Sequence, residues 1–206
     1  MKRPRSTRAL PERYAEADTF DIKEKKGLIL WLNVLGGVGI FVFGALFLLI
    51  LRLVRPAAVM GEATFSLTGT TVWIGLVHVL IVTTVMLVLH EAAHGLAFRL
   101  INGEWGTFAF KGVYAYAAAP DWYMLRNQHL IAALAPFLGL SLLGVLLMAV
   151  VPPGWLPDLL LFLILNASGA VGDLAMVVWL LGKPPEAYVR DYGDELTVYL
   201  PVDRES

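Results

Sequence analysis

The chain has 206 residues, of which 58% are hydrophobic and only 16% are charged. Soluble domains are nearer about 45–50% apolar and about 25% charged, and a fold of this size has too little interior to bury the excess. The composition therefore excludes a disordered chain and a freely soluble domain, and it predicts an integral membrane protein. The absence of cysteine excludes a disulfide framework and a thiolate metal site. No basic stripe with aromatic partners accompanies the net charge of −1, so we expect no nucleic-acid partner.

Four apolar stretches are long enough for membrane-spanning helices, each of which needs about 20 residues. They cover 27–51, 72–98, 130–151 and 155–182. Helices are expected because unpaired strand backbone is not tolerated in hydrocarbon. We predict an all-α, multi-pass integral membrane protein of a cell or inner membrane. Its parts are a charged N-terminal segment (1–26), a transmembrane domain (27–182) and a C-terminal tail (183–206).

The distribution of Lys and Arg predicts the orientation of the spans. The N-terminal segment, the loop at 99–128 and the C-terminal tail together hold fourteen of these residues, whereas the loop at 52–71 holds two. Because basic residues are enriched on the cytoplasmic side, we expect both termini and the middle loop to be cytoplasmic.

The middle loop contains two segments typical of short strands, 107–110 and 113–116, with Lys111 and Gly112 between them. They indicate a β-hairpin-like insert at the cytoplasmic face. An aromatic interfacial loop is the alternative, because Trp and Tyr gather at that depth in any case. The tail contains one further candidate strand, 196–200.

The sequence His90-Glu91-Ala92-Ala93-His94 is an H-E-x-x-H motif within a helical pattern. Residues four apart lie on one helix face, so the two imidazoles are placed to bind one metal ion such as Zn²⁺. Glu91 lies beside them and is placed to accept a proton from the attacking water as a general base. The alternative is a polar cluster that joins helices, but three ionisable groups in a span are costly unless they are paired or coordinated.

Asp173 is the candidate for a third metal ligand. The second and fourth spans run in the same direction, and His90 and Asp173 each lie 18 residues after the start of their span. At about 1.5 Å per residue the two side chains are expected at the same depth, where a carboxylate needs a partner. The other histidines, His78 and His129, are less well placed and are interpreted as local polar residues.

Asn166 lies seven residues before Asp173, two turns away on the same helix face. Several roles are open for it. It can orient a ligand, bind the substrate backbone or hold the scissile carbonyl, or it can make an interhelical hydrogen bond of the kind common in membranes.

HEAAH on one membrane helix and NASGAVGD (166–173) on a later one resemble the site-2-protease-type intramembrane metalloproteases, and more closely the DUF3267 family of zincin peptidases. The segment Leu134-Ala135-Pro136 is also similar to that family's pattern. The resemblance implies a zinc ion held by His90, His94 and Asp173, with Glu91 as the catalytic base. It also implies a strand-rich insert that takes an extended substrate. The ligand types alone would equally suit iron or cobalt.

We therefore predict an intramembrane zinc metalloendopeptidase that acts on membrane protein or peptide substrates within the lipid bilayer. The main alternative is a non-catalytic membrane scaffold or adaptor with a structural metal site. A structural site would have four protein ligands, whereas a catalytic site has three and keeps the fourth position open. A metal or proton transporter ranks last, because the chain has neither a path of ionisable groups nor paired repeats.

Overall fold

The computed structural model describes residues 6–21, 26–56, 69–110 and 115–202. Its helices and strands follow in chain order: β1 (Tyr14–Asp21), α1 (Lys26–Val54), α2 (Gly69–Asn102), β2 (Thr107–Phe110), β3 (Ala115–Leu125), α3 (Arg126–Leu134), α4 (Ser141–Met148), α5 (Leu156–Gly169), α6 (Val171–Leu181), β4 (Tyr188–Asp191) and β5 (Glu195–Pro201). A π-helical turn, Ala135–Leu140, joins α3 to α4. A 3-10 turn, Pro153–Trp155, precedes α5.

Within the described residues, four helical segments are long and apolar enough to cross a membrane. They are Gly27–Val54, Val72–Asn102, Arg126–Met148 and Pro153–Leu181, which agree with the four predicted spans to within a few residues. Large apolar side chains cover the outer surface of α1 and α2. Phe41 is 80% exposed and Trp73 is 71% exposed, as expected for helices that face lipid rather than water.

The third span is interrupted by the π-helical turn. Pro136 has no N–H, so the helical hydrogen bond to the carbonyl of Ala132 is missing, and that oxygen accepts a bond from the amide of Ala135 instead. Turns of this kind displace carbonyl groups from the regular helical ladder. They therefore leave acceptors available to side chains of neighbouring helices.

The fourth span was predicted as one helix but consists of two. The chain leaves helical geometry at Ala170, where φ is −71° and ψ is 7°, and continues as α6. Asn166 lies before this break and Asp173 after it. The break therefore sets the directions of these two side chains independently.

Helix α1 packs against α5 through small residues. A Cβ atom added at Gly39 would lie 3.2 Å from the Cβ of Ser168, and one added at Gly36 would lie 3.4 Å from the Ser168 carbonyl oxygen. Glycine is needed at this crossing because the backbones approach closely, as is common between membrane helices. The contact places α1 beside the helix that carries Asn166.

The strands form one antiparallel sheet in the order β1-β5-β4-β3-β2. The pairing of β2 with β3 confirms the hairpin-like insert, although the connecting residues 111–114 lie outside the described part of the chain. The all-α prediction needs correction, because the N-terminal segment adds β1 and the C-terminal tail adds β4 and β5. The candidate strand at 196–200 is confirmed within β5.

The sheet packs against the end of the fourth span. Leu180 of α6 is fully buried in a cluster with Val189, Leu196 and Val198 from β4 and β5. Lys183, just after α6, forms an ion pair with Asp18 of β1. These contacts hold α6, and therefore Asp173, against a rigid layer.

Candidate metal centre

Helix α2 brings the two histidines of the HEAAH motif together in the interior. His90 and His94 are one turn apart, each is 8% exposed, and their ring centroids are 5.1 Å apart. Asp173 reaches them from the first turn of α6. One of its oxygens lies 3.1 Å from His90 Nε2, and the other lies 3.5 Å from His94 Nε2.

These three side chains form a compact donor cluster. One donor atom from each of His90, His94 and Asp173 lies within 4.8 Å of the other two. His90 and Asp173 were predicted to lie at the same depth, and their side chains are in direct contact between α2 and α6. The geometry is what a single ion bridging the two helices requires, because each donor would need only a small movement to reach a common point.

Hydrogen bonds from neighbouring helices fix the ring orientations. His94 Nδ1 lies 2.9 Å from the carbonyl oxygen of Ala132 and must donate to it, because a carbonyl only accepts. Asn166 Nδ2 donates to the carbonyl of Pro136 at 3.1 Å, which leaves Asn166 Oδ1, 3.0 Å from His90 Nδ1, to accept from that ring. In its neutral form each ring therefore has an Nε2 lone pair directed toward the same carboxylate.

A positive charge between each Nε2 and the carboxylate stabilises this arrangement, and either a proton on Nε2 or a bound metal ion supplies it. Two neutral imidazoles and one carboxylate are a typical donor set for Zn²⁺. Partners that bond the second ring nitrogen, as Ala132 and Asn166 do here, are usual around metal-binding histidines. The residues present therefore fit a divalent metal ion.

Glu91 lies next to the donor cluster. Its Oε2 atom is buried and has no hydrogen-bond partner among the described residues. The backbone amide of Ala117 in β3 is within hydrogen-bonding reach of the same carboxylate. A carboxylate that is held by β3 and keeps one oxygen unbonded beside the ligands is suited to accept a proton.

A cavity of about 360 Å³ adjoins the cluster, large enough for a short extended peptide segment. Its wall includes apolar side chains of α1, α2 and α6, namely Ile29, Phe98 and Met176. Its polar residues are Glu91, His94, Tyr116, His129, Asp173, Asp191 and Asp194. Two of the three candidate ligands, His94 and Asp173, line this space, which is the arrangement of a centre that keeps one position open.

Two buried ionisable residues of this cavity, His129 and Asp191, were not predicted as site residues from the sequence. His129 was interpreted as a local polar residue, yet it is 2% exposed and its Nδ1 lies 3.8 Å from Asp191 Oδ2. Burial raises the pKa of Asp191 to about 7, although a hydrogen bond from the amide of Gly193 favours its charged form. No local signal identifies Asp191, because it reaches the cavity only when the tail folds back as β4.

His78 and Asn166, the other residues considered from the sequence, each make specific contacts. His78 lies away from the cluster and hydrogen-bonds with Asp158 at the start of α5, in agreement with a local polar role. Asn166 is fully buried and hydrogen-bonds to His90. Among the roles left open for Asn166, this contact corresponds to orienting a candidate metal ligand. Asn166 also makes an interhelical hydrogen bond, to the carbonyl of Pro136.

Four membrane-length helices and a His-His-Asp cluster define a helical bundle with a candidate metal centre. Residues 83–188 match the model of the family DUF3267, described as "Putative zincin peptidase". The match covers just over half of the chain and includes HEAAH and Asp173, so the chain belongs to this family. The family description implies zinc and a metallopeptidase. No match was found among curated proteins or among solved structures.

Proposed function

We propose that the protein is an intramembrane zinc metalloendopeptidase of site-2-protease-like type, which hydrolyses peptide bonds in or near transmembrane segments of membrane proteins. The observation that carries this proposal is the convergence of His90, His94 and Asp173 within 4.8 Å beside a cavity that Glu91 also lines. Family membership supports the same conclusion.

In this proposal His90, His94 and Asp173 hold the metal ion. Zinc bound there supplies a Lewis acid for the attack of water on the substrate carbonyl. Glu91 takes the proton from the attacking water and returns it to the leaving amine. Asn166 acts as a positioning residue, because it holds the His90 ring in the tautomer that leaves Nε2 unprotonated.

The substrate must reach the cavity as an extended chain, because a helical peptide bond is shielded by its neighbouring turns. Strand β2 lies at one edge of the sheet, and its Phe108 packs against Gly95, directly after the motif. A Cβ atom added at Gly95 would lie 2.3 Å from the Phe108 ring. We propose that the β2–β3 hairpin receives the unwound substrate by strand addition.

The scaffold alternative predicts a closed shell of four protein ligands. Among the described residues, the cluster contains three ligand candidates and adjoins open space. This arrangement favours the enzyme over the scaffold.

A glutamine substitution at Glu91 tests the catalytic role. Zinc-loaded wild-type protein in detergent is expected to cleave members of a pool of apolar peptides, with new termini identified by mass spectrometry. Glu91→Gln should keep its zinc and lose about 100-fold or more of the cleavage rate. Glu104→Gln is the matched control, because Glu104 is exposed and paired with Arg8.

Cleavage that survives in Glu91→Gln would contradict the assigned role. Zinc-loaded wild-type protein that cleaves no peptide in the pool would favour the scaffold.

A further inference from the structure

A buried pair, His129 and Asp191, lies on the cavity wall and is not used in the chemistry described above. His129 is 2% exposed and Asp191 is 6% exposed. His129 Nδ1 is 3.8 Å from Asp191 Oδ2, close enough for electrostatic attraction but too far for a good hydrogen bond. Both residues line the same cavity as Glu91, His94 and Asp173.

One nitrogen of the His129 ring lacks the partner that a buried imidazole normally has. Its Nδ1 is buried and has no hydrogen-bond partner among the described residues. Buried polar groups without partners are rare in folded proteins because they lose their bonds to water without replacement. A molecule that enters the cavity can supply the missing partner.

Asp191 is held firmly in place. Its Oδ1 accepts a hydrogen bond of 2.7 Å from the amide of Gly193. Gly193 has φ +96°, and a Cβ added there would lie 2.2 Å from the ring of Tyr116, so only glycine fits this turn. The carboxylate can therefore steady the neighbouring imidazole without moving itself.

We propose that His129 is a further active-site residue, which hydrogen-bonds to the peptide bound in the cavity while Asp191 positions its ring. This role rests on the proposed function. A peptide bound in the cavity lies beside the His129 ring, because this ring lines the same cavity as His94 and Asp173. A purely structural role, such as packing against Phe98, would instead affect stability and zinc content.

Substitutions at His129 separate these two roles. His129→Leu keeps an apolar side chain of similar size but cannot hydrogen-bond, and His129→Gln keeps both a donor and an acceptor. In the zinc-loaded full-length protein we expect His129→Leu to lower kcat/KM for the peptide pool by about tenfold or more, with unchanged zinc content and thermal midpoint. We expect His129→Gln to recover part of the loss, and His78→Gln, the matched control, to behave as wild type.

A measurement on the wild-type protein covers the case in which His129 variants do not fold. Nitrogen-15 NMR of protein labelled at histidine reports the hydrogen bonding of each imidazole separately. In the zinc-loaded protein we expect a peptide hydroxamate that occupies the cavity to shift the ring resonances of His129. The ring resonances of His78 should be the same with and without the hydroxamate.

Two results would overturn the role of His129. One is full activity in a folded His129→Leu variant. The other is a set of His129 ring resonances that the bound hydroxamate does not shift. Neither result affects the proposed function, which fails instead if the wild type binds no zinc or if the zinc-loaded wild type cleaves no peptide.

Discussion

Asn166 connects the metal centre to the irregular part of the third span. It is fully buried, and its amide bridges His90 Nδ1 and the carbonyl of Pro136. That carbonyl belongs to the π-helical turn, which begins where Pro136 interrupts the regular helix. The orientation of a candidate ligand on α2 thus depends on a proline in another helix.

At the residue scale, Asn166→Ala is expected to weaken zinc binding by about 10–100-fold, because His90 loses the partner that fixes its tautomer and ring orientation. Competition with a chromogenic chelator measures this affinity. Asn33→Ala is the matched control, since Asn33 is exposed on α1 and bonds only to its own helix at the carbonyl of Ile29. Equal zinc affinity in Asn166→Ala and wild type would contradict the positioning role.

At the scale of elements, α1 supports the centre although it lies outside the family match at 83–188. It packs on α5 through Gly36 and Gly39, and it contributes Ile29 to the cavity wall. Because α5 carries Asn166, displacement of α1 is expected to shift Asn166 and weaken zinc binding at the metal centre.

Two leucine substitutions in α1 test this contact. Gly39→Leu must collide with Ser168 and is expected to cost about 1–3 kcal/mol of stability, with weaker zinc binding. Gly37→Leu is the control in the same helix, because nothing lies within 4 Å of a Cβ added there. Thermal unfolding in detergent measures both. A Gly39→Leu variant as stable as Gly37→Leu would show that the close crossing is not required.

At the scale of the whole molecule, the sheet joins three distant parts of the chain at one end of the bundle. Strand β1 precedes the first span, β2 and β3 lie between the second and third, and β4 and β5 follow the fourth. At the opposite end of α1, Arg55 donates hydrogen bonds to the carbonyls of Met148 and Val151. The distribution of Lys and Arg predicts that the end with the sheet is cytoplasmic.

The chain contains no cysteine, so single cysteines can report which side of the membrane each segment occupies. Glu16→Cys and Val202→Cys, both at exposed positions, are expected to react with an impermeant maleimide only from the cytoplasmic side. Val150→Cys, at a residue 75% exposed, should react only from the other side. Labelling of Glu16→Cys and Val150→Cys from the same side would contradict the topology.

Features that depend on local sequence were predicted well. The four spans follow from apolar length, and the placement of His90 and His94 on one helix face follows from helical spacing. Equal depth was enough to select Asp173, since the cost of an unpaired charge in a span leaves few alternatives. The break at Ala170 and the π-helical turn were missed, because continuous apolar sequence conceals such irregularities.

Features that depend on distant pairing were not predictable. Strand β1 pairs with β5 across nearly the whole chain, with Tyr14 opposite Pro201, and period-two patterning does not identify such partners. Asp191 reaches the cavity because β4 joins this sheet. Its pairing with His129 therefore could not be predicted from the sequence either.

Metal content is the most direct test of the central claim that His90, His94 and Asp173 form a zinc site. Elemental analysis of purified wild-type protein supplied with zinc is expected to give about one zinc per chain. Asp173→Ala should lose the metal or bind it much more weakly, because it removes the carboxylate that joins the two histidines in the cluster found among the described residues. A wild-type protein that stays free of zinc, or an Asp173→Ala variant that retains it fully, would contradict the account.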